Sequence, residues 1–148
     1  MITTRIATSE DQIFIYDLYV EPIKGYVEQL WGWDEIWQKN DFSAAFQSAT
    51  TYVIQIGSEV SGYFQLELGT EFDYLRMFIL GKEYRSKGIG SIVLQDVLRS
   101  SQINHKTLKL RVFKINTDAL RFYQREGWHI TQIEDAFYLL EHLNMPII

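Results

Sequence analysis

Seven consecutive residues carry the densest chemical signal in the chain: Arg85-Ser86-Lys87-Gly88-Ile89-Gly90-Ser91. Two glycines two positions apart let a backbone approach a ligand closely. The free N–H groups at the start of a following helix point outward as an anion cradle, helped by the helix dipole and by Arg85 and Lys87. That arrangement suits a phosphate. The competing reading is a glycine turn before a helix with two solvated cations, and spacing alone leaves both open. Two familiar phosphate motifs are excluded. A dinucleotide fingerprint wants Gly or Ala where Val93 stands and an acidic residue about 20 positions on, where Leu110, Arg111 and Val112 occur. A mononucleotide loop needs Gly-Lys followed by Ser or Thr, and here Gly81-Lys82 is followed by Glu83.

Other residue types narrow the chemistry further. The chain has no cysteine, so disulfides, thiol nucleophiles and thiolate zinc sites are absent. His105, His129 and His142 show no spacing that pairs them with each other or with a carboxylate, and they read as structural or solvated. No metal is implied. Asn116 suits the N-cap of a helix, and Tyr123 sits at helical spacing from Leu120, where a core aromatic would.

The elements that must hold these residues follow from periodicity. Residues 2–7 read as a first strand. Ser9 can cap a helix carrying Ile13, Tyr16 and Val20, which should end or bend near Pro22. A second helical stretch follows, and Asp34 can cap a third with Ile36, Trp37, Phe42 and Phe46. Trp31, Trp33 and Trp37 read mostly as core. From residue 51 the period changes to two. Residues 51–56 and 60–68 form a hairpin around Gly57-Ser58, and 71–80 form a central strand whose apolar end, Met77-Phe78-Ile79-Leu80, predicts burial on both faces. A helix over 90–98, a strand over 107–113, a helix over 116–126 with Gly127 at C′, and strands over 128–133 and 136–143 complete the chain. A mixed sheet covered by helices is expected, in one undivided domain spanning 1–148.

Composition sets the outer limits. The chain has 148 residues, 47% hydrophobic and 22% charged, which suits one folded domain and excludes disorder. A net charge of -5 has the wrong sign for broad attraction to nucleic acid or an anionic membrane, so neither partner is expected. The longest apolar run, residues 136–140, is far short of the roughly 20 residues of a membrane span, and no signal peptide is visible. A cytoplasmic protein is expected.

The loop and the later helix together resemble the GNAT superfamily of acyl-CoA-dependent N-acyltransferases. The family's pyrophosphate loop reads Arg or Gln, two residues, Gly, one residue, Gly or Ala, and residues 85–90 match it in full. Phe78-Ile79-Leu80 falls where the family's fourth strand offers its backbone to the pantetheine arm and thioester. Asn116, Ala119, Phe122, Tyr123, Gly127 and Trp128 reproduce the spacing of its second signature. The paired motifs cover residues 75–133, and the segment Trp31-Gly32-Trp33-Asp34-Glu35 with Gln38 and Phe42 looks like a variant seen in part of the superfamily.

The resemblance implies a GNAT-like α/β fold with a mixed, mostly antiparallel sheet of about seven strands flanked by helices. It implies an acetyltransferase that takes acetyl-CoA as cosubstrate. Phe78, Ile79, Leu80, the loop Arg85, Ser86, Lys87, Gly88, Ile89, Gly90 and Ser91, and Asn116 and Phe122 would bind CoA, and Tyr123 would protonate the leaving thiolate. The acceptor would be a primary amine of a small molecule, or a peptide or protein N-terminus or lysine, entering beside the aromatic helices. Glu71 and Asp73 lie closest to where the family places its base, although Phe72 occupies that register itself; Glu67 and Glu35 are the reserves. A homodimer is compatible with this reading. Two other classes compete: a non-catalytic acyl-CoA-binding module, and an interaction domain that binds no CoA.

Overall fold

Alternating β-branched and aromatic residues form strands here wherever one face meets a core, and 3.6-residue periodicity forms the helices that cover them. The computed structural model describes residues 1–142. Its strands are β1 (Ile2–Ile6), β2 (Thr50–Ile56), β3 (Glu59–Glu67), β4 (Phe72–Leu80), β5 (Thr107–Phe113), β6 (Trp128–Ile133) and β7 (Phe137–His142). Its helices are α1 (Gln12–Leu30), α2 (Glu35–Ser48), α3 (Ile89–Ile103) and α4 (Thr117–Arg125). The strands hydrogen-bond in the order β1-β2-β3-β4-β5-β7-β6. β4 and β5 are parallel, with residues 72–75 of β4 paired to 107–110 of β5. The pairs β1·β2, β2·β3, β5·β7 and β6·β7 are antiparallel. The expected mixed, mostly antiparallel sheet is therefore present. Leu143, expected at the end of the last strand, lies outside the described residues.

The chain divides into two compact units, Met1–Glu67 with Arg76–Gly90, and Leu68–Leu75 with the segment from Ser91 onward. In the first, Ile15 of α1 and Phe42 of α2 pack on Val53, Tyr63 and Ile79 of the strands. Ile15 is completely buried, worth ~2 kcal/mol relative to exposure. In the second, Leu108, Leu110, Leu140 and Trp128 are sealed from solvent.

Several expectations are corrected. Pro22 does not end the first helix: α1 runs through it for 19 residues. Proline removes one N–H bond, to the Leu18 carbonyl, and packing of the helix on the strands outweighs that loss. The helix is also opened differently, by a 3-10 turn over Ser9–Asp11 with Thr8 at its N-cap rather than by Ser9. The tryptophans are not mainly core. Trp31 and Trp37 are exposed and Trp33 is half-buried, because α2 presents Gln38, Phe42 and Ala45 to the strands instead. Ile13 likewise faces outward while Ile15 faces in. Finally, the apolar end of β4 is not doubly buried. Ile79 joins the core beneath the helices, whereas Phe78 is half-buried in an aromatic row with Phe64 and Tyr52 (centroids 6.4 and 4.8 Å) on the other face.

Candidate active site

The loop of residues 85–90 is built by local backbone geometry. Gly81 donates its N–H to Ser61 O at 2.7 Å, and a 3-10 turn over Lys82–Tyr84 then reverses the chain. Tyr84 Oη donates to Glu59 at 2.7 Å and pins the turn. Arg85 is committed within its own unit: its Nε donates to Leu80 O at 3.1 Å and its guanidinium lies 3.0 Å from Glu21. It holds the loop in place rather than reaching outward. Ser86 and Gly88 both adopt left-handed backbone, φ 60° and 81°, and Ser86, Lys87 and Gly88 are exposed before the chain turns into α3 at Ile89. No acidic residue occupies the first turn of α3, so its N-terminal dipole is not neutralised from within. Phe78, Ile79 and Leu80 form the end of β4 immediately before this loop.

The second motif gathers in the other unit. Asn116 is the N-cap of α4, its side chain accepting from the Ala119 N–H at 3.1 Å. Gly127 follows the helix at C′ with φ 95°, and a Cβ there would come within 2.8 Å of His142 Nε2, so Gly is required. Tyr123 is buried, edge-on to Phe122 at 5.2 Å and to Trp128 at 5.9 Å. Burial alone pushes its phenol well above the ordinary tyrosine range, so it stays protonated at all physiological pH.

The carboxylates differ in ways their sequence positions concealed. Asp73 is 3% exposed, accepts from Ser101 Oγ at 2.8 Å and pairs with Lys106 Nζ at 3.4 Å. It ties the end of α3 to β4. Glu71 is exposed in the turn before β4. Glu35, exposed at the start of α2, accepts from Tyr16 Oη at 3.0 Å and Trp33 Nε1 at 2.6 Å. These bonds, that of Trp33 first, hold its pKa below the usual carboxylate value. Glu67, at the end of β3, lies 3.8 Å from Arg76 of β4, which lies 3.8 Å from Asp41 of α2.

Arg76 and two neighbours were not singled out by sequence. Tyr63 is fully buried on β3, and Tyr19 Oη donates to the buried Gln38 at 3.0 Å. Burial pushes Tyr19 up to about 12, with Asp41 adding to the rise and Arg76 opposing it. In sequence Tyr63 is one apolar position in an alternating strand, and nothing local brings positions 19, 41, 63, 67 and 76 together. Among the described residues no group of three or more His, Asp or Glu is placed to hold a metal ion, and no helix is long and apolar enough to cross a membrane.

This geometry can be set beside known proteins. A search of curated protein sequences gave no significant match. Solved structures similar across nearly the whole chain include the PaiA N-acetyltransferase of Thermoplasma acidophilum in complex with coenzyme A. It has 16% identity, a TM-score of 0.75, and coverage of 95% of this chain and 98% of that one. A GNAT family acetyltransferase from Elizabethkingia anophelis with acetyl-CoA bound is 20% identical, with a TM-score of 0.69 and coverage of 95% and 96%. Arabidopsis thaliana Naa50, in complex with the bisubstrate analogue CoA-Ac-MVNAL, is 18% identical, with a TM-score of 0.68 and coverage of 95% and 97%. At such identities these likenesses speak to the fold. The sequence itself matches the acetyltransferase (GNAT) family over residues 13–128, most of the chain and both motifs, and the protein belongs to that family.

Proposed function

We propose that the protein is an N-acetyltransferase that moves an acetyl group from acetyl-CoA to a primary amine of a small molecule or of a peptide or protein. The observation that carries this reading is the loop of residues 85–90. Its two left-handed residues, exposed backbone and unneutralised helix start supply N–H donors for the pyrophosphate, while Arg85 is held aside as a brace. The backbone of Phe78, Ile79 and Leu80 then holds the pantetheine arm and the thioester, and its N–H groups stabilise the oxyanion as the carbonyl is attacked.

In the reaction the neutral amine attacks the thioester carbon, a C–N bond forms, the C–S bond breaks and the CoA thiolate departs. An amine with a pKa near 10 is mostly protonated at neutral pH and must lose a proton before or during attack. Asp73 is buried and doubly engaged, so we assign it to holding α3 and move the base away from it. Glu67 takes that role, with exposed Glu71 as the alternative. Tyr123 donates a hydrogen bond to the departing sulfur. A tyrosine already lies above a thiol in pKa and burial raises this one further, so full transfer of its proton is uphill and its contribution is hydrogen-bond stabilisation of the developing thiolate.

The test measures CoA thiol release from acetyl-CoA over a panel of amines, beside acetyl-CoA binding by calorimetry. Wild type should bind and turn over at least one amine, and Gly90→Val should lose binding while its melting curve stays cooperative. Binding without turnover on any amine would make the protein an acyl-CoA-binding module. No binding, or normal binding by Gly90→Val, would overturn the loop assignment.

A further inference from the structure

Two arginines in this chain show what a structural guanidinium does. Arg5 makes two hydrogen bonds to Asp11, at 2.8 and 2.9 Å, and Arg111 makes two to Glu134, at 2.8 and 3.1 Å. Arg76 differs. It stands 3.8 Å from both Glu67 and Asp41, beyond hydrogen-bond reach of either, and its side chain is 33% exposed. The two carboxylates outweigh its single charge, and among the described residues its forked N–H donors make no hydrogen bond.

A second observation lies beside it. Among the described residues the Tyr63 hydroxyl is buried without a hydrogen-bond partner. It feels the charge of Arg76 and the neighbouring Tyr19 phenol, whose own proton is already given to Gln38. A buried hydroxyl left alone costs free energy, and native interiors rarely leave one so. All these groups belong to the first unit, and Arg76 directly precedes the Met77-Phe78-Ile79-Leu80 stretch assigned above to the thioester.

We infer that Glu67, Arg76 and Asp41, backed by Tyr63, form the acceptor-recognition site, and that the acceptor is of amino-acid type, carrying a carboxylate as well as the reacting amine. This rests on the acetyltransferase reading. An ammonium drawn to Glu67 or Asp41 sits beside a fixed guanidinium and is repelled by it unless it brings an anion along. A carboxylate on the same molecule supplies that anion and satisfies the planar fork of Arg76 in bidentate fashion. The row of charges, negative, positive, negative, thus sets an acceptor carboxylate on Arg76 and its ammonium on a flanking carboxylate. A bare diamine leaves the Arg76 fork unanswered, and a phosphate dianion meets the two flanking carboxylates with twice the charge of a carboxylate.

The experiment compares free amino acids with their amides, matched in side chain, as acceptors with acetyl-CoA and as ligands by calorimetry in the presence of CoA. At least one acid should be preferred over its amide by about tenfold or more in kcat/KM, mostly through KM, as expected for a charge-assisted bidentate contact. In Arg76→Gln that preference ratio should fall to near one, and Arg76→Lys, which keeps the charge but loses the fork, should fall between. Tyr63→Phe should raise the KM of the acid more than that of its amide. Equal use of acids and amides by wild type, an unchanged ratio in Arg76→Gln, or no binding of any amino acid to a protein that binds CoA would overturn the inference while the acetyltransferase reading stood. Failure to bind acetyl-CoA would instead overturn that reading.

Discussion

Tyr123 holds its proton against a pKa that burial alone has raised, so the residue serves by donating a hydrogen bond rather than by ionising. Tyr123→Phe should lower kcat by roughly 10- to 100-fold, the worth of one hydrogen bond to a charged thiolate that leaves tolerably unaided. The Kd for acetyl-CoA should barely move; an unchanged kcat on a good acceptor would remove Tyr123 from the mechanism. The phenol's raised pKa also means that kcat should show no alkaline decline from this group below about pH 10, which a pH–rate profile reads directly. Asp73 makes the opposite point. Its carboxylate is buried between Ser101 and Lys106, so Asp73→Asn should act on stability, costing about 2 kcal/mol, or roughly 4–8 °C in Tm for a chain of this size. A stable Asn variant with kcat reduced a hundredfold would return the base role to Asp73. At this scale types and spacing were legible, since both motifs fall within the span that matches the family, but the division of labour among five carboxylates was not. Glu67, Glu71, Asp73, Glu35 and Asp41 differ in what they touch, and the partners that tell Asp73 and Asp41 apart, Ser101, Lys106 and Arg76, lie more than 20 residues from them.

The loop and the start of α1 show how an element is set by its ends. Gly88 sits at φ 81° with nothing within 4 Å of a Cβ, so a side chain there fails through backbone strain rather than collision. Gly88→Val should therefore weaken acetyl-CoA binding by about tenfold or more, at a cost to stability of roughly 1–2 kcal/mol, readable in calorimetry and a melt. At the other end of the first unit, Asp11 accepts from the Thr8 N–H and from Arg5, and Arg5 holds its pKa down to about 2. A carboxylate whose folded pKa is lowered gives stability that is full above its unfolded value near 4 and is lost as pH falls towards 2. Asp11→Asn should then cost about 1 kcal/mol at pH 6, after solvent screening of this partly exposed pair, and the difference from wild type should shrink between pH 4 and pH 2 in denaturant titrations. A difference that stayed constant over that range would show that the ion pair is not its source. The Asp34, Asn116 and Gly127 caps were legible because a cap is made by residues within four positions. The passage of α1 through Pro22 was not, because that depends on what the helix packs against.

At the scale of the molecule, ligand binding should register as stability. If acetyl-CoA binds only the folded chain, a concentration 100-fold above Kd should add about 2.7 kcal/mol, and raise Tm by roughly 5–11 °C. No shift in wild type would contradict the proposed function. What the sequence determined by itself was written in short-range chemistry: strand order from periodicity, the glycine turn before α3, and family membership from two motifs about 30 residues apart. That is so because backbone conformation and capping are decided between near neighbours. Only the tertiary structure decided which surface each residue meets. It turned Trp31 and Trp37 outward and Ile15 inward, closed Asp73 against Ser101 and Lys106, set Arg76 between Glu67 and Asp41, and buried the Tyr63 hydroxyl without a partner among the described residues. Burial and ion pairing depend on the packing of whole elements, and residues 41, 67 and 76 become neighbours only when α2, β3 and β4 have packed together.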